Sequence, residues 1–308
     1  MALGIPVQSE LLNKHYRGRF APSPSGPLHA GSLVAALASY LDARAYGGTW
    51  LVRIENIDPP REVPKAADII LEQLATHGLE WDEPVYYQAL SEPFFSRVLN
   101  LLIERGQAYY CNCTRKEIQA RGGHYDGHCR NLKRSAKGAS VRFKNDHASK
   151  FFQDGILGSI EVPEEFTQED FVLKRRDSLW AYQLAVVLDD YRQGITHVVR
   201  GQDLLFPTVW QLALWHGLEH IIPLLNDFDI RSPPIYSHVK LQLDAQGRKL
   251  SKQNHAPALE TEFANKNLCN ALRGLEIKVP SELENASVRE IIHYGIESWR
   301  HRKMFKST

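Results

Sequence analysis

The chain has 308 residues, 43% hydrophobic and 24% charged, enough to bury the core of one large globular domain or two modest ones. Lys+Arg 37 against Asp+Glu 36 leaves no basic field over the whole molecule, so any nucleic-acid contact must use a local patch. No apolar run reads as a membrane span, the start MALGIPVQSELLNKHYRG lacks signal-peptide order, and the four cysteines do not form a secreted disulfide framework, so a cytoplasmic protein without membrane association is expected.

Tyr16 to Ala21 alternates as a strand and runs into the turn-rich APSPSGP. Leu33, Val34, Leu37 and Leu41 then recur at helical spacing, with alanines filling the same face. Gly47-Gly48 ends that helix, and TWLVRIEN reads as a second buried strand. Strand, Gly/Pro-rich loop, helix and strand form a βαβ unit, which predicts a parallel sheet with a right-handed crossover. Further helices are expected from about Arg61 to Gly78 and from Glu92 to Gly106. Between Tyr109 and about Leu173 the pattern changes. Cysteines, glycines, a basic stretch and the short runs SVRFK, ILGSIEV and DFVLKR predict an insertion with its own small fold. WAYQLAVVLDD then reads as a helix, THVVRG as a strand, LFPTVWQLALWHGL as a helix, and the region from about Asn265 as short helices. The expected division is an α/β domain in two halves, 1–109 and 175–255, an insertion at 110–174, and a helical end at 256–308.

Two segments have the chemistry of phosphate binding. RFAPSPSGPLHAGS lies where a strand hands over to a helix, and its glycines, Gly26 and Gly31, allow close approach of backbone to a ligand. A helix N-terminus offers N–H groups and the positive end of a dipole to phosphates. His29 is placed to donate to a phosphate oxygen as charge develops, with Gly31 and Ser32 beside it. Far downstream, GRKLSKQ supplies two compact cations, Lys249 and Lys252, with Ser251 between them.

Other residue types suit an amino acid. Arg19 has the fork that grips a carboxylate, Ser23 a hydroxyl, and Glu55 the charge to pair with an α-ammonium. Tyr182 and Arg200 stand at the ends of core elements expected to converge over the carboxyl edge of the sheet. Cys111, Cys113 and Cys129 suit a structural Zn²⁺, which normally takes four ligands, with His124, Tyr125 or His128 as the fourth. Cys269 is isolated and reads as a small core hydrophobe.

His29-Ala30-Gly31-Ser32 and Lys249-Leu250-Ser251-Lys252-Gln253 together resemble the HIGH and KMSKS signatures of class I aminoacyl-tRNA synthetases. RFAPSPSG and WLVRIENID resemble more narrowly the glutamyl and glutaminyl branch, with Asn56 departing from that branch's usual R-x-E-D-x-D. The resemblance implies a Rossmann-like catalytic domain that binds ATP with Mg²⁺ through His29, Gly31, Ser32, Lys249, Ser251 and Lys252, with His29 and Lys252 as the catalytic pair. It assigns Arg19, Ala21, Ser23, Glu55, Tyr182 and Arg200 to L-glutamate. It also favours Tyr125 over the histidines as the fourth zinc ligand, through the spacing C-x-C…Y-x-x-x-C.

Few residues follow Lys252, too few for the large helical anticodon-binding region of a full glutamyl-tRNA synthetase. The chain therefore closely resembles the paralogue family without that region. It implies tRNA-independent formation of glutamyl-adenylate by a monomer, then transfer of glutamate to queuosine in the anticodon of tRNA(Asp). The competing expectations are charging of the 3′ end of tRNA(Glu), or a non-catalytic RNA-binding paralogue. The basic residues Arg130, Lys133, Arg134 and Lys137, with Arg300, Arg302 and Lys303, are candidate phosphate contacts.

Overall fold

A computed structural model describes residues 16–225, 231–243, 250 and 257–304. β1 (Arg17–Phe20) leads through the proline-rich loop to α1 (Ala30–Ala45), and β2 (Thr49–Ile54) returns parallel to β1 with Arg17 opposite Thr49. The helix expected from Arg61 begins only at Ala66, because Pro59 and Pro60 form a 3₁₀ turn and Pro64 cannot donate inside a helix; it runs as α2 (Ala66–Thr76). The short β3 (Tyr86–Tyr87) adds to β2 in parallel, and α3 (Glu92–Glu104) follows.

The middle of the chain is antiparallel. β4 (Ala108–Cys111) leads to α4 (Arg115–Ala120) and β5 (Ser140–Phe143). A hairpin of β6 (Phe151–Asp154) and β7 (Gly158–Glu161), a single turn α5 (Glu164–Thr167), and β8 (Val172–Lys174) complete it. β5 lies between β4 and β8.

α6 (Tyr182–Gln193), β9 (His197–Gly201), α7 (Thr208–Leu218) and β10 (Ile235–Val239) resume the α/β pattern. β9 and β10 pair in parallel, and β9 comes alongside β1 where Thr196 N donates to Arg17 O at 2.9 Å. The strands therefore stand in the order β3, β2, β1, β9, β10. β10 was not anticipated from the sequence, since IYSHV shows no period-two alternation and sets two adjacent polar residues, Ser237 and His238, among buried positions. α8 (Ala264–Gly274) and α9 (Val288–Met304) close the described chain.

Burial explains the arrangement. α1 is buried around most of its circumference, with the sheet on one side and α8 and α9 on the other. A second core joins Phe95, Val98 and Leu102 of α3 to Leu184, Val187 and Leu188 of α6 and Leu214 of α7. Val141, Phe143 and Leu173 of the antiparallel sheet belong to that same core, so this sheet is anchored in the α/β body. None of the described helices is long and apolar enough to cross a membrane.

Candidate active site

His29 is the N-cap of α1, with extended backbone, and its capping follows from the sequence H-A-G-S. Ser32, three residues on, takes the His29 N–H on its Oγ at 2.7 Å, and its own N–H reaches His29 Nδ1 at 3.2 Å. With Nδ1 accepting, the neutral ring carries its proton on Nε2. The first turn of α1 holds no acidic residue, so the dipole end stays favourable to an anion. A Cβ on Gly31 would stand 3.1 Å from the Leu250 carbonyl oxygen and 3.2 Å from the His29 ring. A side chain at position 31 would therefore press on residue 250 of the second signature and on the His29 ring. Lys249, Ser251, Lys252 and Gln253 themselves lie outside the described residues.

The chain after that signature is tied to the same place. His29 bridges Ala258 in antiparallel fashion, and Leu259 N donates to Leu28 O at 2.9 Å. The buried Gln73 side chain of α2 serves both, accepting from Leu28 N at 2.7 Å and donating to Leu259 O at 2.9 Å.

Arg19, Glu55, Tyr182 and Arg200 converge at the carboxyl ends of the parallel strands. Arg19 is the penultimate residue of β1, Glu55 follows β2, Arg200 is the penultimate residue of β9, and Tyr182 opens α6 within electrostatic reach of the other three. Glu55 N donates to Pro22 O at 3.0 Å, holding Ala21 and the exposed Ser23 beside Glu55. The carboxylate fork expected of Arg19 is directed at the protein itself. Its Nε and Nη2 each lie 3.1 Å from the two oxygens of Asp190, because that aspartate enters from α6 at the same depth.

Three charged residues at this site went unread in the sequence. Arg53 is fully buried, 2.9 Å from Asp190, 3.3 Å from Glu55 and 3.9 Å from Asp189. Asp189 and Asp190 sit in α6 directly after the apolar run LAVVL, and that continuation of a buried helix was the available signal. Burial, the largest single effect, would pull the Arg19 and Arg53 values down, but Asp190 at Arg19, and Asp190, Asp189 and Glu55 together at Arg53, hold both raised. Burial likewise pushes Asp190 up, and Arg19 with Arg53 overcomes that and holds it below the usual carboxylate range. Glu55 is pushed up by burial against the pull of Arg53 and Arg19. By formal charge Arg19 and Arg53 face Glu55, Asp189 and Asp190, two positive against three negative, with burial pushing Asp189 up as it does Glu55.

In the antiparallel region the sulfurs of Cys111, Cys113 and Cys129 lie within 4.8 Å of one another, a donor set that fits a metal ion. Cys113 and Cys129 are 3.6 Å apart and both are free thiols. Tyr125 is buried among them, its hydroxyl accepting from Cys129 N at 2.8 Å. His124 and His128 are exposed, and His124 Nδ1 faces Glu169 at 3.7 Å. Arg142 lies over the Tyr125 ring, 3.7 Å from its centroid. Cys269 is buried in the core of α8, as expected. Among the basic residues, Arg130 is held by Asp170 and Asp146, while Lys133, Arg134 and Lys137 are exposed.

The chain matches the family model of class I tRNA synthetases (E and Q), catalytic domain, over residues 15–294. A glutamyl-Q tRNA(Asp) synthetase of Idiomarina loihiensis is 50% identical over 284 residues, covering 92% of this chain and 96% of its own. One from Vibrio vulnificus is 44% identical over 303 residues, covering 98% of this chain and 96% of its own. Among solved structures, the glutamate-tRNA synthetase of Elizabethkingia anophelis superposes with a TM-score of 0.71 at 26% identity over 91% of this chain. The present chain spans 65% of that protein's length.

Proposed function

Since the chain belongs to the class I tRNA synthetases of the glutamate and glutamine branch, and within it to the glutamyl-Q tRNA(Asp) synthetases, we propose that it activates L-glutamate with ATP and passes the glutamyl group to queuosine in the anticodon of tRNA(Asp). The observation that carries the activation step is the charge pattern at the carboxyl edge of the sheet. A buried cluster of three carboxyls and two arginines lies beside Arg200, whose partners among the described residues are all uncharged. Glutamate has the complementary pattern, an ammonium at one end and a carboxylate at the other.

On this reading Glu55 meets the α-ammonium and Arg200 the side-chain carboxylate, with Tyr182, Ala21 and Ser23 lining the space between. The α-carboxylate oxygen attacks the α-phosphorus of ATP and pyrophosphate leaves, so no enzyme nucleophile is needed. Catalysis is then positioning and charge stabilisation. His29 donates from Nε2 to the reacting phosphate, supported by the α1 dipole, Gly31 and Ser32. Lys249, Ser251 and Lys252 are assigned to the triphosphate, with Mg²⁺ neutralising part of its charge. Cys111, Cys113, Cys129 and Tyr125 would hold one zinc, which ties the two ends of the 111–129 loop together. Arg19 and Arg53 act by holding Asp190 and Glu55. The catalytic domain is read as 1–109 and 175–255 around an insertion at 110–174, followed by a helical end at 256–308, in a monomer working in the cytoplasm.

The test is glutamate-dependent ATP–pyrophosphate exchange without tRNA, followed by transfer to tRNA(Asp) with and without queuosine. Exchange plus transfer only to the queuosine-bearing RNA is expected. Transfer to unmodified tRNA(Glu) would replace the acceptor, and absence of exchange would leave a binding protein.

A further inference from the structure

Arg200 is 5% exposed, and uncharged groups fix nearly all of its donors. Nε donates to His238 Nε2 at 3.0 Å and Nη1 to Gln211 Oε1 at 2.8 Å. Nη2 donates to Thr208 Oγ1 at 2.8 Å and to Leu204 O at 3.2 Å. The Tyr236 ring lies 4.9 Å from the guanidinium carbon. His238, in β10, is fully buried and held from its far side, with Nδ1 2.6 Å from Asp154 Oδ2. Arginine offers only donors, so His238 Nε2 must be the acceptor and the ring's one proton lies on Nδ1, facing Asp154.

Asp154 is the last residue of β6, far from the pocket in sequence. Its Oδ1 takes the backbone N–H groups of Ile156 at 2.9 Å, Leu157 at 2.8 Å and His238 at 3.2 Å. That leaves Oδ2 for the imidazole. The hairpin is pressed against β10 by a further bond, Gly155 N to Tyr236 O at 2.8 Å, and a Cβ on Gly155 would come within 2.3 Å of Ser237 Oγ.

We propose that Asp154 and His238 are positioning residues for Arg200: the carboxylate selects the imidazole tautomer, the imidazole orients the guanidinium, and affinity for the glutamate side chain thereby depends on a hairpin that does not touch the amino acid. The inference rests on the assignment of Arg200 to the substrate carboxylate. Its sharpest consequence concerns Asp154→Asn. Three backbone N–H groups demand an oxygen at the Oδ1 position, so the amide NH₂ must face His238 Nδ1. The imidazole proton is then driven to Nε2, where it meets Arg200 Nε–H, and two donors confront each other.

The experiment is ATP–pyrophosphate exchange by the full chain, with Arg200→Ala, Asp154→Asn, His238→Ala and His238→Gln measured side by side. Asp154→Asn and His238→Ala are expected to raise the glutamate KM about 10-fold or more, with kcat and the ATP KM within about 3-fold, the signature of lost ground-state binding. His238→Gln can accept from Arg200 and donate to Asp154 with one amide, and is expected to recover most of the affinity lost in His238→Ala. A raised KM in Arg200→Ala with unchanged KM in Asp154→Asn and His238→Ala would overturn the inference and leave the Arg200 assignment standing. An unchanged KM in Arg200→Ala would instead overturn the assignment, and the inference with it. If Asp154→Asn does not fold, the two His238 variants decide: parallel losses of kcat and of both KM values, without recovery by glutamine, would refute positioning.

Discussion

Asp190 is the residue on which the buried charges at the sheet edge depend. It faces both Arg19 and Arg53, and each arginine keeps a charge in a place where water cannot solvate it. Breaking a buried pair leaves an unpaired charge, so Asp190→Asn is expected to lower stability by about 3–5 kcal/mol, measurable as a shift of the denaturation midpoint. Glu55 gives a pH signature. Burial raises its pKa, so on acidification it takes up a proton earlier than an exposed glutamate and loses the charge proposed to meet the α-ammonium. The glutamate KM should therefore climb as pH falls, beginning above the usual carboxylate range, while Glu55→Gln should give a high KM that does not move over that window. For folding the sign is opposite: a raised carboxyl favours the folded state most in acid, and that contribution is lost as pH rises through the folded value. That Arg19, Glu55 and Arg200 would gather at the strand ends was legible because charged residues there must meet partners, although the partner Arg19 meets is Asp190. The Asp190 fork was not, because a helix face becomes buried only when α6 packs, and no local spacing records the depth at which its carboxylates meet β1 and β2.

At the level of elements, the opening βαβ unit was readable because glycines and prolines punctuate strong apolar periodicity. The β6–β7 hairpin and β10 were not separable in that way. FFQD alternates exposed and buried residues, and IYSHV buries two polar side chains, Ser237 and His238, of which His238 finds its partners in β6, in β9 and at Thr208 of α7. The contact between them is close enough to be tested sterically. Gly155→Ala should force the hairpin off β10, costing about 1–3 kcal/mol through overpacking. It should also raise the glutamate KM, because Asp154 moves with the strand. Calorimetry and exchange kinetics on the same variant check both, and a loss of stability with unchanged KM would show that the hairpin reaches only the core.

Over the whole molecule, the antiparallel region and the α/β body share the packing of α3, α6 and α7, so damage at the cysteine cluster is expected to be felt globally. Purified protein should contain about one zinc per chain. Cys129→Ser or strong chelation should lower the melting temperature, and full stability in the metal-free protein would refute a structural ion. Net charge of +1 implies that RNA is attracted only by local groups such as Lys133, Arg134 and Lys137. Transfer to tRNA should therefore weaken steeply as salt is raised, while pyrophosphate exchange without RNA should change little. Equal salt dependence of both steps would point to an effect on the catalytic site instead.

Gln73 has a bearing on how this molecule can be altered. One amide joins the chain just before α1 to the chain just after the second signature, and so pins the two ends of a very long excursion. Whatever is added or removed between them lengthens or shortens the excursion without moving its endpoints apart. The segments flanking the two signatures thus share a local tether of their own, distinct from the packing that joins the antiparallel region to the α/β body.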